Sequence, residues 1–306
     1  MELRHIRYFL AVADEGNFTR AAEILGIAQP PLSQQIKALE TEIGTQLFRR
    51  VPHGAELTEA GRAFERIART LPGQASEAVR QARKAAAGET GLLRLGYTGT
   101  AALNGIVPAC IRAYRTGFPD VELQVTEANS LALVQALLDD RIDMAILRPS
   151  TSDPKELTEE FLTDEPLVAA LPGSHPLAQK EAPIDLSGLS EDPFILTPHS
   201  VGIGLLDAVV DACRAAGFAP RPGQMASQIV SIVSLVAAGL GVSLVPRSIA
   251  QVKVAGVAFR PLTGAPRLVS LALAYRKGRL VPPARNFLHL ARKQIGTGIQ
   301  TVSDSD

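Results

Sequence analysis

Asn17-Phe18-Thr19-Arg20-Ala21-Ala22-Glu23-Ile24-Leu25-Gly26-Ile27-Ala28-Gln29-Pro30-Pro31-Leu32-Ser33-Gln34-Gln35-Ile36-Lys37 is the stretch on which the fold turns. Phe18, Ala21, Ala22 and Leu25 share one face at helical spacing, with Asn17 as N-cap. Gly26 supplies a tight turn. The next helix opens at Gln29-Pro30-Pro31, where proline in the first turn forfeits no hydrogen bond. Its inner face is Leu32, Ile36 and Leu39. Its outer face carries Gln29, Ser33, Gln34 and Lys37. Upstream, Ile6, Phe9, Leu10 and Ala13 mark a further helix that Glu15-Gly16 ends. Glutamine can read adenine bidentately, and Ser or Lys can contact bases or phosphate. Two short helices joined through a glycine, the second so furnished, match a helix-turn-helix. By composition alone, a solvated face on a small bundle fits equally.

The residues that follow favour the first reading. Leu47-Phe48-Arg49-Arg50, Pro52-His53-Gly54 and Leu57-Thr58 predict two short strands around a turn, a wing. Arg49, Arg50 and His53 sit where a wing would touch phosphates or a groove. An ordinary surface hairpin with two solvated arginines is the competing reading.

Five blocks keep order and spacing through Gly61: Met1-Glu2-Leu3-Arg4-His5-Ile6-Arg7-Tyr8-Phe9, Phe18-Thr19-Arg20-Ala21-Ala22, Ala28 to Ile36, Leu47 to Arg50, and Leu57-Thr58-Glu59-Ala60-Gly61. With Leu39-Glu40 and Gly44 between them, they resemble the N-terminal signature of LysR-type transcriptional regulators. The resemblance implies a winged helix-turn-helix over residues 1–58. Its second helix would enter a major groove and touch DNA through Gln29, Pro30, Pro31, Ser33, Gln34 and Lys37, joined by Thr19, Arg50 and His53. One departure is Gln34, where many relatives carry arginine.

Thr58 can cap a long helix, with Glu59 favourable in its first turn. Ala60, Phe64, Ile67, Leu71, Ala75, Ala78, Ala82 and Ala85 recur in steps of three and four, as in a two-helix seam. This predicts a linker helix over 59–88 that pairs with a second copy of the chain; one amphipathic helix packed on its own domain is the alternative. Leu71-Pro72-Gly73 bends or breaks that helix, because an interior proline costs about 3 kcal/mol. Gly88 to Gly91 ends it.

From Gly91 strands and helices alternate, which predicts a doubly wound α/β arrangement. Strands are expected at Leu92–Tyr97, Val121–Thr126 and Ile142–Leu147, with helices at Ile106–Tyr114 and Leu131–Leu138. A second lobe takes strands Leu167–Leu171, Phe194–Leu196 and Val242–Val245 with helices Leu205–Ala216 and Ile229–Ala238. Strand Val269–Tyr275 and helix Pro283–Ile295 return to the first. Two lobes with two crossing segments form a hinged clamp with its ligand in the cleft. Arg141-Ile142-Asp143-Met144-Ala145-Ile146, Leu171 to Leu177 and Val236 to Pro246 are similar to the family's effector domain. The class is thus α/β, with a two-lobed, periplasmic-binding-protein-like effector domain over 91–296. Lobe I spans about 91–161 and 267–296, lobe II about 162–266. The polar tail 297–306 is expected to be flexible.

Gly99-Thr100-Ala101 and Asn129-Ser130 each open a helix just past a strand, and Arg148 follows the third strand. Hydroxyls, free N–H groups and a guanidinium suit a small organic acid. Alternatively, Thr100 and Ser130 are mere caps and Arg148 pairs with Asp153 on the surface. The sequence looks nearest the subgroup that senses muconate and benzoate in aromatic-acid catabolism, whose corresponding positions hold two hydroxyls and an arginine. Pro198, His199 and Ser200 follow a strand at another helix start and would form the facing wall; His199 departs from the subgroup and either adds a donor or a pH-dependent charge or is a solvated loop histidine.

Lys+Arg and Asp+Glu number 31 each, so net charge is zero. Residues 1–58 carry six basic against seven acidic side chains, and 59–84 six against three. Zero overall charge therefore hides where bases gather, and suggests modest non-specific affinity for DNA. Cys110 and Cys213 exclude a disulfide scaffold or four-cysteine zinc site. His5, His53, His175, His199 and His289 show no metal spacing, and no Gly-x-Ser-x-Gly, His-Glu-x-x-His or P-loop occurs. A regulator rather than an enzyme is expected, without cofactor or metal. No signal peptide or membrane-length apolar run is read, which predicts a cytoplasmic protein. A free-standing solute-binding protein would leave the first 88 residues unexplained. The partners implied are double-stranded promoter DNA, a small-molecule effector and further copies of the chain, a dimer through the linker helix and a tetramer by family habit. RNA polymerase is a further candidate partner.

Overall fold

The computed structural model describes residues 1–52, 54–201 and 204–296. His53, expected in the wing, the Gly202-Ile203 pair and the tail 297–306 lie outside the described residues. The chain divides into two compact units, one running from Met1 to Lys84 and one starting at Ala85.

The first unit begins with α1 (Leu3–Glu15), α2 (Phe18–Leu25) and α3 (Gln29–Ile43). Asn17 caps α2, its Oδ1 accepting the Thr19 and Arg20 N–H groups at 2.8 and 3.3 Å. Gly26 takes a left-handed conformation, φ 67°, and returns its N–H to Ala22 and Glu23. The turn into α3 is set by that residue. Phe9, Leu32, Ile36 and Leu39 are fully buried or nearly so, with Ala21, Ala22 and Phe48 around them. The Phe9 ring lies 5.1 Å from Phe48 and 4.9 Å, edge-on, from Phe64.

The wing is an antiparallel hairpin of β1 (Phe48–Val51) and β2 (Gly54–Leu57), with Arg49 opposite Glu56 and Arg50 opposite Ala55. It is fastened at two points. Ala55 N–H donates to Gly16 O at 2.8 Å, and Glu40 Oε1 accepts the N–H groups of Leu47 and Phe48 at 2.7 and 3.1 Å.

Thr58 caps α4 (Glu59–Ala68), accepting the Gly61 N–H at 2.9 Å. The linker then breaks at Arg69–Thr70, and α5 runs from Leu71 to Ala87. Of the two expectations, a bend or a break, the structure has the break, and it falls at Arg69–Thr70, just before Leu71-Pro72-Gly73. Pro72 is the second residue of α5, where its missing N–H has no intrahelical partner to lose. No residue of α5 is buried.

The second unit holds β3 (Gly91–Tyr97), α6 (Gly99–Ala102), α7 (Ile106–Gly117), β4 (Val121–Glu127), α8 (Ser130–Leu138), β5 (Met144–Leu147) and β6 (Leu157–Pro172). After these come β7 (Pro193–Leu196), α9 (Gly204–Ala215), β8 (Arg221–Met225), α10 (Ile229–Ala237), β9 (Ser243–Pro246), β10 (Val257–Pro261), β11 (Leu268–Arg276) and α11 (Pro282–Gly296). Strand β3 lies parallel between β4 and β5, and β11 runs antiparallel to β5. Strand β6 is 16 residues long and belongs to both lobes. Leu157–Pro166 pair with β11 in lobe I, while its last residues pair with β9 and β10 in lobe II. Likewise β11 sends Val269 into the lobe II core and Leu271 and Leu273 into that of lobe I. Helices α7 and α11 cover one face of the lobe I sheet and α8 the other. In lobe II, α9 and α10 pack into separate core clusters.

Three strand segments differ from expectation. β6 starts ten residues before Leu167, where pairing with β11 makes the strand; its first half, Leu-Thr-Glu-Glu-Phe-Leu-Thr-Asp-Glu-Pro, carries four acids and so shows no apolar run. β8 is exposed throughout and contains Pro222 and Gly223, and β10 is only partly buried, so neither shows a core pattern. Among the described residues, no helix is long and apolar enough to cross a membrane.

Candidate functional site

In the first unit, one surface depression brings Ser33, Gln34 and Lys37 of α3 beside Arg49 and Arg50 of the wing. Gln29 lies one turn before Ser33, and its Nε2 donates to Ser33 Oγ at 2.7 Å. Pro30 and Pro31 are exposed at the start of α3, and Thr19 is exposed at the start of α2. Most neighbouring acids are engaged. Glu15 pairs with Arg20, Glu42 with the N-terminus, Asp14 with Arg69, and Glu56 with Arg49 at 2.6 Å. Glu40 is taken up by wing backbone. Among the described residues, Lys37 and Arg50 have no ion-pair partner and lie in the same depression. The slightly acidic count of residues 1–58 thus coexists with a locally basic, hydrogen-bonding surface. His5, buried under this helix, accepts the Glu2 N–H at Nδ1, and its Nε2 lies 2.9 Å from Gln35 Oε1 on α3.

In the second unit, a cavity of about 170 Å³ lies between the lobes at the carboxyl ends of the lobe I strands. Lobe I contributes Thr98, Thr100, Glu127, Ser130 and Arg148; lobe II contributes Thr197, Val201, Leu205, Gln228 and Ile229. The capping roles fall on neighbours of the expected residues. Thr98 caps the one-turn helix α6, and Asn129 caps α8, accepting the Ala132 N–H at 2.8 Å. The hydroxyls of Thr100 and Ser130 are thereby left for other partners.

Arg148 is 3% exposed and does not pair with Asp153. Its Nε donates to Thr100 Oγ1 and its Nη2 to Glu165 Oε2, each at 3.2 Å. Asp153 instead accepts the Ser150 N–H. Glu165, 4% exposed on β6, also accepts Asn104 Nδ2 at 3.4 Å and the Ser248 N–H from lobe II. Burial pulls the Arg148 guanidinium below its ordinary pKa, and the Glu165 charge opposes that pull. Arg148 Nη1 is buried with no hydrogen-bond partner. A buried donor on a charged group is costly to leave unpaired.

The α10 N-terminus adds further donors. Gln228 makes no side-chain capping bond there, so first-turn N–H groups remain available. Pro198, His199 and Ser200, expected to form the facing wall, do not themselves line the cavity; Thr197 and Val201 on either side of them do, while His199 and Ser200 are exposed and open a short 3-10 turn. Sequence reasoning missed Glu165, Glu127 and Gln228. Glu165 sits in a polar run with no periodicity to flag it. Glu127 ends a strand at the ligand edge of the sheet, the same rule that singled out Arg148.

Residues 3–62 match the model of the bacterial regulatory helix-turn-helix protein, lysR family, and residues 86–296 match the LysR substrate binding domain. The chain is 38% identical to the HTH-type transcriptional regulator BudR of Raoultella terrigena, over 95% of this chain and all of that one. It is 36% identical to the HTH-type transcriptional regulator CatR of Pseudomonas putida, over 96% and 99%. The crystal structure of full-length CbnR complexed with its target DNA superposes with a TM-score of 0.82 at 29% identity, covering 96% of this chain and all of that one.

Proposed function

The chain belongs to the LysR family of transcriptional regulators, DNA-binding proteins with an effector domain, and we propose that its cleft takes a small organic carboxylate whose binding controls how α3 reads promoter DNA. The observation that carries the ligand class is the unpartnered Nη1 of Arg148. A carboxylate accepting from it would complete the guanidinium, with Thr100, Ser130 and the first turn of α10 supplying further donors. Relatives of comparable identity bear different names, so they favour no single effector.

On the DNA side, Gln29, Ser33, Gln34 and Lys37 are offered as base and phosphate contacts, with Arg50 on a flanking phosphate. Thr19, Pro30 and Pro31 sit beside them. Ala60, Phe64 and Leu71 of the predicted seam pack on the unit's own core, whereas Ile67 and, beside the seam, Val79 are 67% and 52% accessible, and these exposed apolar side chains support pairing of two copies. Paired reading helices then meet two half-sites.

Two measurements test this. A carboxylate at about 100 times its dissociation constant should stabilise the full-length protein by about 2.7 kcal/mol, and the shift should vanish in Ser130→Ala and in the Arg148→Gln/Glu165→Gln double variant. Its persistence in both rejects the site. Gln29→Ala or Ser33→Arg should abolish sequence-specific footprints with oligomer mass unchanged; intact footprints reject the reading helix.

A further inference from the structure

The cleft has a second pole. Glu127 is the last residue of β4, exposed, and lines the same cavity as Arg148. Its carboxylate rests against Gly99: a Cβ placed there would come within 2.6 Å of Glu127 Oε1. Among the described residues it has no hydrogen bond or ion pair.

The sheet sets the distance between the poles. Tyr97 of β3 pairs with Glu127 on one side and with Ile146, two residues before Arg148, on the other. Two strand spacings across and two residues along, roughly 12 Å, therefore separate the backbones of the cationic and anionic groups. Thr98 and Thr100 follow Tyr97 on the central strand and line the same cavity. With about 170 Å³ available, roughly the volume of six waters, a ligand seated on Arg148 places its other end beside Glu127.

Resting on the carboxylate reading above, we infer that the effector is a carboxylate that also carries a hydrogen-bond donor, a hydroxy acid or a zwitterionic amino acid, with Glu127 accepting from that donor. A dicarboxylate would set its second anion against Glu127, where like charges in a partly desolvated cleft repel. A plain monocarboxylate would leave Glu127 without a partner. Thus Glu127 discriminates by what it rejects as well as by what it binds.

The test is thermal melting of the full-length protein with propionate, lactate, alanine and succinate at matched ionic strength, on wild type and Glu127→Gln. Lactate or alanine should bind the wild type about tenfold more tightly than propionate, the scale of one hydrogen bond to a charged group, and succinate more weakly than propionate. A larger response to lactate assigns the donor as hydroxyl, and one to alanine as ammonium; either supports the inference. In Glu127→Gln the donor preference should shrink and succinate should gain. Equal shifts from all four ligands, or an unchanged order in Glu127→Gln, overturn the inference while leaving the carboxylate reading standing. No shift from any of the four in wild type overturns both.

Discussion

At the scale of single residues, Arg148 and Glu165 hold one another inside the fold, and each is costly without the other. Removing one partner of a buried pair commonly destabilises by about 3 kcal/mol or more, because the remaining charge stays buried. Arg148→Ala should show that loss in urea unfolding, and Arg148→Met/Glu165→Gln should recover most of it; a double variant as unstable as the single one would show that the Arg is not what holds Glu165. Glu159 gives a second prediction. Desolvation of its carboxyl and the neighbouring Asp153 push it up to about 7, although the residue is exposed overall. A raised carboxyl pKa means that the folded state binds the proton more tightly. Stability from this group is present at low pH and is lost as pH rises from about 4.5 through 7. Melting temperature should therefore fall more steeply across that window in wild type than in Glu159→Gln, and identical slopes would count against the shift. The Arg148 position was legible in the sequence as the end of a strand. Its partner was not, since Glu165 lies in Leu162-Thr163-Asp164-Glu165-Pro166, which reads as a solvated loop.

Among the elements, the wing and the linker separate two kinds of residue that look alike on paper. Gly54 has φ 150°, and a Cβ there would meet Gly16 O at 2.1 Å, beside the Ala55-to-Gly16 hydrogen bond that fastens the hairpin. Gly54→Ala should cost more than about 2 kcal/mol and weaken DNA binding as the hairpin shifts. Pro72, by contrast, occupies the first turn of α5, so Pro72→Ala should change the melting temperature little, within about 1 kcal/mol. A large loss there would mean that the break at Arg69–Thr70 depends on the ring. Helices α1 to α3 were legible because their apolar residues recur at helical spacing, a glycine ends each, and Asn17 and Pro30-Pro31 mark the starts of α2 and α3. The extra strands were hidden where the pairing partner, not the side-chain pattern, makes the strand. β8 has no buried residue at all, and only its ladder to β7 defines it.

For the whole molecule, the seam along α4 and α5 carries the strongest expectation. A helix of 17 residues with no buried side chain is poorly supported by its own chain. Val79→Glu combined with Ile67→Glu should lower the mass measured by light scattering and weaken binding to paired half-sites more than to one half-site. An unchanged mass would move the interface elsewhere. The two-lobed plan was legible from alternating strands and helices, and the family resemblance holds over both domains. The ligand's second pole was not, because it arises only when β3 brings the ends of β4 and β5 to one edge.

The shared strand β6 carries a mechanical consequence. The Leu167 N–H bonds Arg267 O at 2.7 Å, and the ladder continues from β11 onto β9 without a gap. A clamp hinged on loops can swing freely, but this one is joined by a ribbon that must twist for the lobes to turn. It behaves as a torsion bar, resisting wide opening and passing a small rotation along its length. Amide protons near 165–170 should therefore remain among the slowest to exchange whether or not the cleft is filled.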